Sequence, residues 1–435
     1  MKHSTDYLSL IQSIPPHRTA LVENGRFYTY GMLTREACRI RSLTPEPSVP
    51  SAAWIRAASV HGQLVQFLAL SGTSHIPVIV PADMKYVPES LITEGIPAGA
   101  CMGVLTSGST GQPKLWFRTL DSWASFFPTQ NAIFGITAQT RLFAHGSLAF
   151  TGNLNLYLSL LSLGASIITA SHVNPFVWCR EIELHHADAL YLIPSKLRLL
   201  AKYISHPSPD IKTILAGSQS LGHGDIVLLK AAYPNSCCFL YYGASELSYV
   251  TWLTDQEMND NPACIGKPFP GVDVTLRNGE IYVDTPYSAI GITGPYSVGD
   301  MGYTDHKGYL YFNGRKDNVY NIHGRKVSAV KIENALNSLT QIQEAAVILQ
   351  NNALQAHVVL TVPNPSGQDA VSLRRIIKRE LNDYLESWEI PRDIIFHYET
   401  KSSTIKNKHD KNAIISYAFL LLQHYGFRAE HDPRN

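Results

Sequence analysis

Four short apolar runs set the first constraint on this chain: HIPVIV (75–80), ASIITA (165–170), ALYLIP (189–194) and IKTILAG (211–217). Each is continuous rather than alternating, as in strands covered on both faces. Stretches 152–163 and 195–203 carry helical spacing. Strands alternating with helices predict a parallel α/β sheet. Residues 18–31, RTALVENGRFYTYG, predict a hairpin, because Asn24-Gly25 is a strong two-residue turn signal. A Pro/Ser-rich stretch follows at 43–52. The pattern changes near residue 265, where IGKPFPGVDVTLRNGEIYVDT brings short β runs and another turn, Asn278-Gly279. Further on, 345–350 and 357–362 read as strands and Ser372 to Leu385 as an amphipathic helix, closed by Pro391. The expected division is a large domain over 1–316 and a compact α+β domain over 317–435.

At 435 residues the chain is long for one core, which agrees with that division. It is 45% hydrophobic and 16% charged, a globular composition. A formal net charge of +1 makes no electrostatic case for nucleic acid or an anionic membrane as partner. No apolar run is long enough to span a bilayer. The first residues, MKHSTDYLSLIQSIPPHR, lack the apolar core of a secretion signal, so a cytoplasmic protein is expected. Cys38, Cys101, Cys179, Cys237, Cys238 and Cys264 form no CxxC pair or Cys/His ligand spacing and read as reduced thiols.

One loop carries chemistry on its face, VLTSGSTGQPKLWF (104–117). Gly108 and Gly111 let backbone approach a ligand closely. Successive N–H groups, the hydroxyls of Thr106, Ser107, Ser109 and Thr110, and the charge of Lys114 suit an oxyanion, above all a phosphate. The spacing is not that of a GxxxxGK[ST] P-loop. Taken alone, the stretch also reads as a Gly/Ser surface turn before a helix. Four other places stand out: LAGSQSL (215–221), LYYGASELS (240–248), the turn-rich block 296–336 and the basic run TIKNKHDK (404–411). Each is weak alone.

Their order and spacing together resemble the ANL superfamily of adenylate-forming enzymes: acyl- and aryl-CoA synthetases, adenylation domains of peptide synthetases, and luciferases. TSGSTGQPK is similar to that family's [ST]SG[ST]TGxPK, YYGASE to YGxTE, and SVGDMG to its TGD block. GRKDNVYNIHGRKVSAVKIE is similar to GRxDxxIKxxGxxVxxxEIE, and TIKNKHDK to TxxGKxDR. The resemblance implies a large domain of parallel and mixed sheets with a distorted β region, followed by a small mobile lid domain. It implies ATP-dependent activation of a carboxylic acid to an acyl-adenylate, with release of pyrophosphate and transfer to a thiol. The cofactors it implies are ATP, Mg²⁺ and coenzyme A, or a carrier protein's phosphopantetheine arm as acceptor.

Carried over residue by residue, Thr106, Ser107, Gly108, Ser109, Thr110, Gly111 and Lys114 would hold the β- and γ-phosphates. Gly217 and Ser218 would form the adenine edge and a substrate wall, Tyr242 would stack on adenine with Gly243 also at the nucleotide, Asp300 would accept from both ribose hydroxyls, and Arg315 would reach the ribose or phosphate. Ser245 would contact the α-phosphate and Glu246 would hold Mg²⁺. Lys408 would be the catalytic lysine of the lid, Asp317 the hinge, and Gly324 would line a thiol tunnel after domain rotation. Asn321 and Asn407 depart from the family's lysine and glycine, and bear on the second half-reaction.

The acyl pocket is expected around Phe150, Thr151, Leu192, Ser195, Gln219, Tyr241 and Ala244. Thr151 stands where α-amino-acid-activating domains place an aspartate, which disfavours an ammonium-bearing substrate. An aryl or short- to medium-chain acid is expected. Coenzyme A is the leading acceptor and a separate acyl or peptidyl carrier protein the second. Arg325, Lys326 and Lys331 could meet the nucleotide of coenzyme A or form a solvated face. A non-catalytic nucleotide-binding relative is the third reading, disfavoured by the presence of Lys114, Glu246, Asp300 and Lys408.

Overall fold

The computed structural model describes residues 6–82, 84, 86–88, 91, 95–107, 113–258, 261–316, 319–322, 325–350, 353–360 and 368–397. Among these, thirteen strands form one sheet. Its middle is parallel, in the order Thr19–Glu23, Ser166–Thr169, Arg141–Ala144, Ala189–Tyr191, Thr213–Gly217 and Cys237–Ala244. Arg26–Thr29 closes one edge antiparallel. On the other side the sheet turns antiparallel through Ser248–Thr254, Cys264–Pro268, Leu310–Arg315, Asp300–Thr304, Glu280–Asp284 and Asp273–Arg277. This is the region of dense turns.

Three of the four apolar runs lie in the parallel block. HIPVIV does not. Its strand, His75–Ile79, belongs to a separate four-stranded sheet with Ser51–Ile55, Met102–Ser107 and Pro113–Arg118. A doubly covered strand looks the same in either sheet, so local pattern could not separate them. Both Asn-Gly hairpins form, joining Glu23 to Arg26 and Arg277 to Glu280. Asn24, Gly25, Asn278 and Gly279 all have positive φ, between 52° and 81°, the backbone that such two-residue turns demand.

Strand residues alternate between two cores because successive side chains point to opposite faces. Leu142, Ala189, Tyr191 and Leu215 enter one core, and Phe143, Leu190, Ile214 and Ala216 the other. The helix Thr151–Leu163 packs on the first face and is buried almost all round, ending at Gly164 with φ 86°. Pro194–Tyr203 starts with a proline in its first turn, where the missing N–H costs nothing. Asn174 accepts from the N–H groups of Phe176 and Val177 and so caps Pro175–Leu184.

The C-terminal part has its own core, built from residues such as Val327, Ile332, Leu336, Val347, Ala356, Ile377 and Phe396. A three-stranded sheet, Ile342–Gln350, Ala353–Leu360 and Asp393–His397, packs with the helices Ala329–Asn337 and Gln368–Leu381. The second of these helices corrects the expected span Ser372 to Leu385. The chain leaves the helix after Leu381, and residues 382–385 are turns and a bend. Leu385 is nonetheless buried against the same core, which is why its spacing imitated another helical turn. The first strand also begins at Ile342, earlier than the expected 345.

Gly266 has φ 91°, and a Cβ there would meet the Trp252 carbonyl oxygen at 2.0 Å. Gly266→Ala is expected to cost about 2 kcal/mol or more. Thermal unfolding of the variant, melting several degrees below the wild type, checks this.

Candidate active site

The C-terminal ends of two adjacent parallel strands meet at Gly217 and Tyr241, which face each other in register. Ligands of open α/β sheets gather at such ends. After Ala244 the chain turns through Ser245, Glu246 and Leu247 and returns as Ser248–Thr254. The turn is tight: a Cβ on Gly243 would stand 2.4 Å from the Ser248 carbonyl oxygen. Ser218 and Ser248 both hold positive φ, 67° and 66°. Non-glycine residues in this region store strain, and such strain clusters at functional sites.

Arg118 fixes the turn in place. It ends the strand Pro113–Arg118 and is fully buried. Its guanidinium donates to the Ser245 carbonyl through Nη2 at 2.7 Å and Nε at 3.3 Å, and to the Tyr287 carbonyl through Nη1 at 2.8 Å. It lies over the Trp123 ring, 5.2 Å from the centroid. Burial pushes the guanidinium pKa down to about 10, so it stays charged at neutral pH. Two backbone bonds complete the junction, Ala289 N–H to Glu246 O at 2.7 Å and Ile290 N–H to Phe117 O at 2.8 Å.

Opposite the turn, Asp300 starts a strand and pairs in register with Arg315. Asp300 is buried; its Oδ2 accepts from the Tyr242 hydroxyl at 2.5 Å, and its Oδ1 lies 3.4 Å from Arg315 Nε. Burial raises the Asp300 carboxyl above its ordinary value, against the pull of Arg315 and Tyr242. The Tyr242 phenol is pushed well up by burial and then by the Asp300 charge. Burial also raises the Glu246 carboxyl, while the charges of Arg315, Arg118 and Lys114 pull it down.

Two cavities share this ground. The larger, about 360 Å³, is lined by Ser218, Gln219, Tyr242, Asp300 and Arg315, and across from them by Val330, Glu333 and Asn334 of the C-terminal part. The smaller, about 90 Å³, is lined by Phe150, Thr151, Ala244 and Ser245 among others. Ser218, Tyr241 and Gly243 border both. Thr151 Oγ1 and Ser245 Oγ are hydrogen-bonded at 2.7 Å at that boundary. A cavity of several hundred cubic ångströms with an aromatic, a buried carboxylate and an arginine suits a drug-sized polar ligand. The smaller one suits a compact group attached to it.

The chain matches the AMP-binding enzyme family over residues 97–292. It is 28% identical over 312 residues to an uncharacterized acyl-CoA ligase of Bacillus subtilis, covering 67% of this chain and 63% of that relative, under two thirds of its length. It is 25% identical to a putative long chain fatty acid-CoA ligase of Staphylococcus epidermidis over 96% of this chain and 99% of that one. Residues 97–292 carry the AMP-binding enzyme match, and the chain as a whole resembles the ANL superfamily of adenylate-forming enzymes. The fold is similar to that of the O-succinylbenzoate coenzyme A synthetase of Bacillus subtilis solved with ATP and magnesium, with a TM-score of 0.73 and 17% identity over 91% of this chain and 96% of that one. It is similar also to ATP-bound MatB from Rhodopseudomonas palustris, with a TM-score of 0.74 and 17% identity over 94% and 98%.

Within this ANL fold, Ser218, Gln219, Tyr241, Tyr242, Gly243, Asp300 and Arg315 come together around the larger cavity, and Phe150, Thr151, Ala244 and Ser245 around the smaller. Gly217 lines neither; a Cβ there would meet the Tyr241 ring at 2.7 Å, so it sets how closely that tyrosine packs. Leu192 is buried in the second core and lines neither cavity. Ser195 donates its N–H to Gln219 Oε1 at 2.9 Å and so holds that side chain. Thr106 and Lys114 pair across the root of the glycine loop, which joins two antiparallel strands rather than opening a helix. Thr106 Oγ1 is buried with no partner among the described residues. Gly108, Ser109, Thr110, Gly111, Asp317, Gly324 and Lys408 lie outside the described residues, as does the Ser107 side chain.

Mg²⁺ binds proteins through one or two carboxylates and takes its remaining ligands from phosphates and water. Glu246, a carboxylate within the field of three cations, fits that modest demand. No cluster of three or more His, Cys, Asp or Glu able to hold a metal by itself exists among the described residues. No helix among them is long and apolar enough to cross a membrane, and all six cysteines are free.

Arg118, Trp123, Asn155, Tyr191 and Ser248 were not singled out from sequence. Asn155 had a legible signal, since it sits four residues after Thr151 on one helix face. Arg118 had none, because the carbonyls it holds are distant in the chain. Arg118→Met is expected to leave those carbonyls unpaired, at about 1–3 kcal/mol each. The expected result is a lower melting temperature together with weaker acid-dependent ATP–pyrophosphate exchange, checked by thermal unfolding and by exchange rates.

Proposed function

We propose that this enzyme activates a carboxylic acid with ATP and passes the acyl group to the thiol of coenzyme A. The acid's carboxylate oxygen attacks the α-phosphorus, the bond to the β-phosphate oxygen breaks, and pyrophosphate leaves. The thiol sulfur then attacks the acyl carbon, AMP leaves with the electron pair of the C–O bond, and the thiol proton goes to solvent. The observation that carries this reading is the pair of cavities sharing Ser218, Tyr241 and Gly243, one nucleotide-sized and one compact. A mixed anhydride of acid and AMP needs that arrangement.

In this reading Asp300 accepts from the ribose hydroxyls, Arg315 neutralises charge beside it, and Tyr242 flanks the base. Ser245 contacts the α-phosphate from the boundary where it meets Thr151. Glu246 holds Mg²⁺, which offsets phosphate charge. Lys114 and the glycine loop hold the leaving pyrophosphate. Lys408 bridges the carboxylate and α-phosphate oxygens, and a rotation at Asp317, between domains 1–316 and 317–435, replaces it with a thiol tunnel at Gly324. Such chemistry depends on positioning and charge rather than covalent help. The names of the relatives and their coverage support coenzyme A; a carrier-protein thiol is the acceptor to compare it with.

Three outcomes are expected. Acid-dependent ATP–pyrophosphate exchange proceeds without any thiol; Lys408→Ala slows it by about 100-fold or more, and a variant exchanging as fast as wild type removes the role given to that lysine. Asp300→Asn raises the apparent KM for ATP by about tenfold, the equivalent of one charged hydrogen bond, with little change in the KM for the acid; steady-state kinetics separates the two. Glu246 serves as the anion, and burial raises its pKa, so the anion is lost as pH falls through that raised value. The affinity for Mg²⁺ is therefore expected to weaken as pH falls through that raised value, and the pH profile of the apparent KM for Mg²⁺ measures it.

A further inference from the structure

The smaller cavity carries polar groups that adenylation itself does not use. Trp123 Nε1, Asn155 Oδ1 and Ser248 Oγ are buried, and none has a hydrogen-bond partner among the described residues. All three residues line the same space of about 90 Å³. An unpaired buried polar atom costs about 1–3 kcal/mol, and folded proteins leave few of them. All three belong to residues that line one small cavity, so a group bound there is placed to supply the partners they lack. Ser248 is also held at φ 66°, a strained backbone that places its side chain here.

The chemistry of the three groups narrows the ligand. An indole N–H only donates, an amide oxygen only accepts, and a serine hydroxyl does either. A methyl or halogen satisfies none of them. An ammonium cannot accept from Trp123, and no carboxylate among the described residues lines the cavity to offset its charge. A hydroxyl both accepts from the indole and donates to the amide oxygen. Size narrows it further, since about 90 Å³ suits a compact group. Trp123 is fully buried and Phe150 is 43% exposed, so the indole marks the closed end and Phe150 the open one.

We infer that the acid this enzyme activates is compact and bears a hydroxyl group, bound by Trp123, Asn155 and Ser248. The inference rests on the adenylation reading, because it takes the smaller cavity as the acyl site. Long unsubstituted chains leave all three groups without partners.

The test is ATP–pyrophosphate exchange by the full-length enzyme with matched acids carrying hydrogen, methyl or hydroxyl at one carbon. Butyric, methylbutyric and hydroxybutyric acids form one set, and benzoic, toluic and hydroxybenzoic acids another, each with every positional isomer. A hydroxy acid is expected to exceed both of its analogues by about 100-fold or more in kcat/KM, because the analogue strands buried polar groups. Asn155→Leu and Trp123→Phe are expected to lower that ratio, measured within each variant as the hydroxy acid against its own analogues, which a general loss of activity or structure does not change. Exchange that favours the unsubstituted or methyl acids overturns the proposal and leaves adenylation standing. Exchange with no member of either set also overturns it, and calorimetry then decides the broader reading: bound Mg²⁺–ATP leaves adenylation of some other acid open, and no bound ATP removes it.

Discussion

The guanidinium of Arg118 joins three parts of the fold at one point. It grows from the four-stranded sheet, grips the Ser245 carbonyl at the end of the thirteen-stranded sheet, and reaches the Tyr287 carbonyl in the distorted β region. Charged hydrogen bonds contribute about 1.5–3 kcal/mol each, and removing an arginine from water costs several kcal/mol. The second offsets much of the first, so the net gain is smaller than the bonds alone suggest, while losing the arginine still strands the carbonyls it holds. What it contributes is position. Ser245 and Glu246 are placed relative to the glycine loop by the same strand that ends the loop's hairpin.

The rest of the site follows from that junction. With the turn fixed, Thr151 at the start of its helix meets Ser245, and the helix's next turn brings Asn155 to the same cavity. Tyr241 is held by its hydroxyl against the Tyr191 hydroxyl at 2.5 Å, and Gly152 leaves room for both: a Cβ there would stand 2.3 Å from Tyr191 Oη. On the other side, Tyr242, the next residue, points the opposite way and bonds to Asp300. Strand pleating thus divides two consecutive tyrosines between the two cavities' far walls, with Tyr241 bordering both. The Ser220 hydroxyl donates to Asn334 Oδ1 at 2.7 Å, so the C-terminal part closes the larger cavity through a loop that also carries Ser218 and Gln219.

Much of this was legible in the chain itself. Short apolar runs at 165–170, 189–194 and 211–217 announced parallel strands because doubly covered strands have no polar face. Two Asn-Gly pairs announced tight turns, the first as a hairpin, because few residues accept positive φ. Glycines, hydroxyls and Lys114 in one loop read as an oxyanion site because backbone amides and a point charge are what phosphate requires, though Gly108 to Gly111 lie outside the described residues. The ordered set of motifs named the superfamily and pointed to Tyr242, Asp300 and Arg315, which the fold does bring to one cavity. Less legible were boundaries, as at Leu385, where burial without helix mimics helical spacing.

What the sequence by itself determined is therefore local and periodic: which segments are strands or helices, where backbone must turn, and which residue types can face a phosphate or a ribose. The tertiary structure alone decided which sheet HIPVIV joins, that Arg118 spans 127 and 169 residues to reach two carbonyls, and that Trp123, Asn155 and Ser248 surround one space. The physical reason is range. Propensity, turn geometry and motif spacing act between near neighbours in the chain. Burial, and the need of buried polar atoms for partners, act between groups that only folding brings together.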